Sequence, residues 1–193
     1  MLTSLSPSGH VEATLRRKPF TDTERALNKP TIYLDTTIPS AFWFEGADVL
    51  AIGRRLLTRE WWETERSGFA LLVSSATEDE LSAGKFPRQD ECLKMVQRLR
   101  YLPINRRVRD FALELIDSRV VPDSKPGDAL QMAVAASHSV DYLLTWNYAH
   151  LANPTAQEKL MEFCVRRQLR CPHLVSPETI PKARFGQSIR RKT

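Results

Sequence analysis

Thr31-Ile32-Tyr33-Leu34-Asp35-Thr36-Thr37, introduced by Pro30, is the stretch whose reading decides the fold. Ile32, Tyr33 and Leu34 are consecutive, apolar and β-prone, without the alternation of a strand that has one wet face. That pattern belongs to a short strand covered on both sides, as in a parallel sheet. Pro30 prevents any earlier helix from running into it. The run then stops on a carboxylate, Asp35. The same grammar recurs downstream. Ala70-Leu71-Leu72-Val73 leads within a few residues to Glu80, and Tyr142-Leu143-Leu144-Thr145-Trp146 leads to Asn147. Shorter strands are expected at 101–104 and 173–175.

Helical patterns fill the gaps. Pro39 suits the first turn of a helix through Ala41-Phe42-Trp43-Phe44. A longer helix is expected over 49–66, with Leu50, Ile52, Leu56, Leu57, Trp61 and Trp62 on its buried side and Gly68 ending it. Ser75 or Thr77 is expected to cap a short helix bearing Glu78, Asp79 and Glu80 and ending at Gly84. Further helices are predicted over 88–100, 107–118 and 155–167, and an apolar one runs from Asp128 to about 139. This alternation predicts an α/β fold, a parallel sheet with helices on both faces. The organisation expected is an N-terminal extension (1–29), one domain (30–178) and a basic C-terminal tail (179–193).

The bulk properties narrow the field. A chain of 193 residues, 42% hydrophobic and 26% charged, fits one well-cored domain. No apolar run approaches the ~18 residues needed to span a bilayer, and the first residues do not resemble a signal peptide, so the expectation is a cytoplasmic protein without a membrane partner. The net charge of +5 is local: Lys182, Arg184, Arg190, Arg191 and Lys192 follow the last acid, Glu178, and 1–178 is formally neutral. Such a tail either holds nucleic acid by counterion release or simply keeps the chain soluble. Three cysteines at unrelated spacings argue for reduced thiols, and four histidines without ligand spacing argue against zinc.

Four polar residues therefore stand where apolar elements end: Asp35, Glu80, Asp128 and Asn147. Each also has a structural explanation. Asp35 suits an Asx-turn or a helix cap, and Glu80 belongs to an acidic run at a helix start. Asp128 suits a first-turn carboxylate, and Asn147 a turn former. The carboxyl ends of parallel strands are nonetheless where ligands collect in α/β sheets, so the four are expected to converge. Three carboxylates and an amide oxygen make a hard, oxygen-rich set suited to Mg²⁺ or Mn²⁺.

The segments 32–37, 73–81, 128–136 and 142–151, in this order, resemble the motifs of the PIN-domain nucleases, a family that includes the VapC-type toxins of toxin–antitoxin pairs. The resemblance covers about residues 31–176 and implies a three-layer α/β/α sandwich with metal-dependent ribonuclease activity. It implies Asp35, Glu80 and Asp128 as catalytic residues and as metal ligands. Thr37 falls on an accompanying hydroxyl position. The fourth metal position, commonly Asp in the family, is Asn147 here, which leaves one negative charge fewer. Arg106 and Arg107, with Arg54, Arg55 and Arg109, are candidates for phosphate contacts. His150 is expected near the pocket, either lining it or as a hydrogen-bonded, partly buried side chain.

Implied partners are an RNA substrate, a cognate antitoxin and a second copy of the chain. The aromatic segments 42–44 and 61–62 are expected either in the core or under such a partner. Competing chemistry fails on sequence: a haloacid-dehalogenase-type phosphotransferase needs Asp-x-Asp where Asp35-Thr36-Thr37 stands, and Gly84-Lys85 lacks the upstream glycine of a P-loop. A binding module that lost catalysis and a housekeeping RNA-processing nuclease are the alternatives left open.

Overall fold

The computed structural model describes residues 29–182; the N-terminal extension before Lys29 and the tail beyond Lys182 lie outside them. The described chain runs β1 (Thr31–Leu34), α1 (Thr37–Phe42), α2 (Val49–Thr64), a 3₁₀ turn (Arg66–Gly68), β2 (Ala70–Ser74), α3 (Ser75–Ala83), α4 (Gln89–Gln97) and β3 (Arg100–Leu102). It continues with α5 (Arg106–Asp117), α6 (Pro126–Ser137), β4 (Tyr142–Leu144), α7 (Pro154–Arg166) and β5 (His173–Val175). The five strands form one parallel sheet in the order β3-β2-β1-β4-β5.

The pleat of β1 divides the core in two. Tyr33 points, with Leu72, Leu102 and Leu143, into a layer filled by α5, α6 and α7. Ile32 and Leu34 point, with Val73 and Leu144, into a layer filled by α1 to α4. Consecutive side chains of one strand thus enter opposite cores. The molecule is the three-layer α/β/α sandwich expected, with β1 at its centre.

Chain order reverses at β1. The segment Thr31–Leu102 builds the sheet outward through β2 and β3, and the chain then returns to place β4 and β5 on the other side. Such a switch point opens a crevice beyond the carboxyl ends of the two central strands. At the amino ends the same strands are latched: Asp141 Oδ2 accepts from Thr31 N (2.8 Å) and Thr31 Oγ1 (2.7 Å), and Asp141 also pairs with Arg170.

Several sequence expectations need correction. Leu50 and Leu56 are 65% and 60% exposed and Leu57 is also exposed, whereas the buried positions of α2 are Thr58 and Trp61. Apolar residues are spread around this helix, and its roll is set by Trp61 entering the core and by Thr58, whose Oγ1 accepts the indole N–H of Trp146 at 2.8 Å. The cap of α3 is Ser74, not Ser75 or Thr77, and its hydroxyl accepts from Ala76 N at 3.2 Å. Strand β3 begins at Arg100 and stops at Leu102. Trp61 is buried, and Phe42, Trp43 and Trp62 pack edge-to-face around it, partly covered. The cysteines are all free, yet the fold brings Cys164 and Cys171 into hydrogen-bond contact despite their unrelated spacing. Ile180 packs into the second core, so ordered contacts continue past residue 178. Among the described residues, no helix is long and apolar enough to cross a membrane.

Candidate metal centre and active site

Asp35 stands at the switch point, the first residue after β1, and is 2% exposed. Its backbone N–H still bonds across to Leu144 O at 3.1 Å, which fixes the side chain at the edge of the sheet. Burying a carboxylate is costly unless donors surround it. Here Oδ1 accepts from Thr36 Oγ1 (2.8 Å), Thr37 N (3.2 Å) and Gln131 Nε2 (3.2 Å). Oδ2 accepts from Thr37 Oγ1 (2.9 Å) and from Thr145 Oγ1. The two hydroxyls carry the network onward: Thr37 Oγ1 accepts from Trp146 N (2.8 Å), and Thr145 Oγ1 accepts from Asn147 N (2.9 Å). Asp35 thereby ties the loop after β4 to the start of α1. Thr37 has both capacities of its hydroxyl engaged in orienting Asp35 rather than free for a substrate.

Glu80 arrives on α3. That helix is anchored by Thr77, which is fully buried; its Oγ1 donates to Leu34 O (3.3 Å) and lies 3.1 Å from the Tyr33 hydroxyl. Three residues on, Glu80 shares the inner side of the helix with Thr77, as the helical repeat requires. Its Oε2 accepts from Gln131 Nε2 at 3.0 Å. Asp128 arrives in the first turn of α6, where a carboxylate is favoured by the unpaired N–H groups and the helix dipole. Its Oδ2 accepts from Asn147 Nδ2 at 3.1 Å, and Asn147 Oδ1 in turn accepts the backbone N–H of His150 at 3.1 Å.

Gln131 was not singled out from sequence. It is 1% exposed and stands one helical turn after Asp128, on the same face of α6. One amide nitrogen joins the carboxylates of Asp35 and Glu80, which precede Gln131 by 96 and 51 residues in the chain. The available signal was an amide inside the otherwise apolar run 129–136, spaced three residues from an acid.

The electrostatics reflect this crowding. Burial, followed by the negative charge of Asp35, pushes the Glu80 carboxyl above its ordinary range, and Asp128 adds to the effect. Burial also raises Asp128; the hydrogen bond from Asn147 opposes that, Asp35 reinforces it, and the positive charges of His150 and Lys125 oppose it. Glu80 and Asp128 therefore both sense the charge of Asp35. Arg106 and Arg107 are not brought to this place. Arg106 is almost fully exposed beside Asp110, and Arg107 lines a cleft with Ser137 and His138, at the far end of α6 from Asp128. Arg54 is nearer: its guanidinium lies over the rings of Trp146 (5.7 Å) and Tyr148 (5.8 Å), which flank Asn147.

The donor set suits a hard divalent cation. It consists of carboxylate and amide oxygens, and the buried Gln131 Oε1 beside them has no hydrogen-bond partner. Among the described residues no group of three His, Cys, Asp or Glu side chains is placed so as to hold a metal ion together. A Mg²⁺-like ion does not require one, because it keeps several waters and binds through one or two carboxylates.

No protein-family model matches the chain, and no curated protein matches it. Among solved structures it is similar to VapC20 of Mycobacterium tuberculosis, a toxin that cleaves the sarcin–ricin loop. The TM-score is 0.45 at 14% identity, covering 62% of this chain and 92% of that one. It is also similar to VapBC2 of Rickettsia felis, whose structure holds a DNA fragment from its promoter. There the TM-score is 0.42 at 15% identity, covering 76% of this chain and 98% of that one.

Proposed function

We propose that the chain is a divalent-metal-dependent endoribonuclease, using Mg²⁺ or Mn²⁺, that acts in the cytoplasm as the toxin of a type II toxin–antitoxin pair. The observation that carries the chemistry is the buried Asp35, placed at the switch point and joined through Gln131 to Glu80, with Asp128 and Asn147 beside it. In this reading Asp35 and Asp128 hold the cation, Glu80 binds it or orients water, and Asn147 is an outer oxygen ligand. When bound, the cation neutralises charge developing on phosphoryl oxygens and activates water for attack.

The residues of the chain do the rest. The threonine hydroxyls hold Asp35 in one orientation, so the carboxylate does not have to reorganise during the reaction. Glu80, whose carboxyl burial and the charge of Asp35 push above its ordinary range, is a stronger base than a free carboxylate and is suited to take a proton from water. Thr37 supports this indirectly, through Asp35. Arg106 and Arg107 enter only as contacts to RNA lying away from the scissile phosphate. A cognate antitoxin and a second copy of the chain are the protein partners of the same reading.

Cleavage of a single-stranded RNA by the purified chain tests it. Activity is expected to require added Mg²⁺ or Mn²⁺, to stop with EDTA, and to fall by roughly a thousandfold in Asp35→Asn or Asp128→Asn, several kcal/mol of lost charge stabilisation. Metal-independent cleavage, or full activity in Asp35→Asn, would overturn the assignment. RNA binding without cleavage would point to the binding-module alternative.

A further inference from the structure

Between the loop after α5 and the start of α7 the surface opens into a cleft of about 630 Å³. Arg119, Ser124, His150, Asn153 and Lys159 supply most of its polar lining, and Asp123 is the one carboxylate among its lining residues. The walls are firm. Val120 N and Val121 N both bond to Leu115 O (2.9 and 3.3 Å), and Asn153 caps α7 by accepting from Ala156 N at 2.9 Å. Lys159 Nζ donates to Arg119 O at 3.1 Å, which fastens the loop to α7 and leaves the ammonium two further protons to donate.

The cleft adjoins the carboxylates. His150, on its wall, donates its backbone N–H to Asn147 Oδ1, and the other end of that amide donates to Asp128. The charge around the site is therefore asymmetric. On the β2 side, α3 carries Asp79 and Glu80, while the Glu78 carboxylate accepts from Gln97 and the Tyr101 hydroxyl. On the β4 side stand Lys125, His150, Arg119 and Lys159. A polyanion reaching the carboxylates is repelled from the first side and drawn to the second.

We propose that this cleft is a subsite for the backbone of a single-stranded polynucleotide, seating the phosphates next to the one placed at Asp35 and Asp128. The proposal rests on the nuclease reading for where the scissile phosphate lies. The strand must be single because Asp35 is recessed: its neighbouring phosphates have to turn from the carboxylates into the cleft within a few nucleotides. A duplex, stiff over about 150 base pairs, does not make that turn.

The experiment measures binding of a short single-stranded RNA by fluorescence anisotropy across a salt series, in the full chain carrying Asp35→Asn to prevent cleavage. Adding Arg119→Ser and Lys159→Gln together is expected to weaken binding about tenfold and to flatten the slope of log K against log salt by about 1.4, the contribution of two released counterion sites. Arg98→Ser, an exposed cation outside the cleft, is expected to leave the affinity within twofold. Mn²⁺ binding, measured calorimetrically in the chain with native Asp35, should be unchanged by the cleft substitutions.

An unchanged slope in the doubly substituted chain overturns the subsite, as does equal affinity for a duplex of the same sequence. A melting temperature matched to the parent's confirms that lost binding comes from lost charge; Lys159→Arg, which keeps the charge, should restore binding. The two readings separate cleanly. If the cleft substitutions weaken RNA binding but carboxylate substitutions do not affect cleavage, the nuclease site is wrong and the subsite stands. If metal binding and cleavage follow the carboxylates while the cleft substitutions do nothing, only the subsite falls.

Discussion

At the scale of single residues, Gln131 decides how three acids share one place. Its amide nitrogen donates to Asp35 and to Glu80 and so ties the two carboxylates to α6. Gln131→Leu keeps most of the volume and removes that donor. It is expected to cost about 1–3 kcal/mol of metal-free stability, the range for leaving buried polar groups without a partner, read by chemical denaturation. Mn²⁺ should recover part of the loss by supplying positive charge to the same oxygens. Glu80→Gln should act in the other direction: it removes a charge whose ionisation is disfavoured in the fold, so the metal-free melting temperature at neutral pH should rise. Asp35 was legible as a candidate because a carboxylate ending a buried strand needs partners. Gln131 was not, because an amide in an apolar helix has many structural explanations and its two partners are distant in sequence.

At the scale of elements, the strands were readable because Ile32–Leu34, Leu71–Val73 and Leu143–Leu144 are consecutive apolar runs, which only a strand covered on both faces makes sense of. Helix α2 was misread because Leu50, Leu56, Leu57, Trp61 and Trp62 do not define a single stripe. Its seating depends instead on one polar contact, Thr58 Oγ1 with the Trp146 indole, and on Trp61. That contact holds α2 against the loop that carries Thr145 and Asn147. Thr58→Val, close in shape, would leave the indole N–H buried without an acceptor, and is expected to cost about 1–3 kcal/mol. If α2 supports the site as well as the core, the same substitution should weaken Mn²⁺ binding, whereas Leu56→Ala on the exposed side of the helix should change neither quantity.

At the scale of the molecule, folding assembles negative charge. The folded-state pKa values of Glu80 and Asp128 lie above their ordinary values, so between those ordinary values and the raised ones the folded chain keeps protons that the unfolded chain has released. Metal-free stability must then fall as pH rises through that window, and be fully present below it. Thermal melts in EDTA from mildly acidic to neutral pH should show this decline, with Mg²⁺ or Mn²⁺ opposing it at the upper end. A flat profile with EDTA that is also unaffected by metal would mean that the carboxylates are balanced by the protein alone. The sheet order was not readable from the sequence, since parallel strands of similar composition do not announce their neighbours. The convergence of 35 with 145–147 follows from that order, β1 beside β4.

The bridge from Gln131 to Asp35 spans 96 residues of chain. During synthesis, a growing polypeptide that has completed β1, β2 and β3 possesses Asp35 and Glu80 but neither Asp128 nor the amide that gathers them. The site is therefore written into the chain in two instalments, and only the second makes it whole. On the proposed ribonuclease reading, an incomplete product still attached to its own ribosome would be harmless, and the first moment of danger would coincide with the closing of the fold.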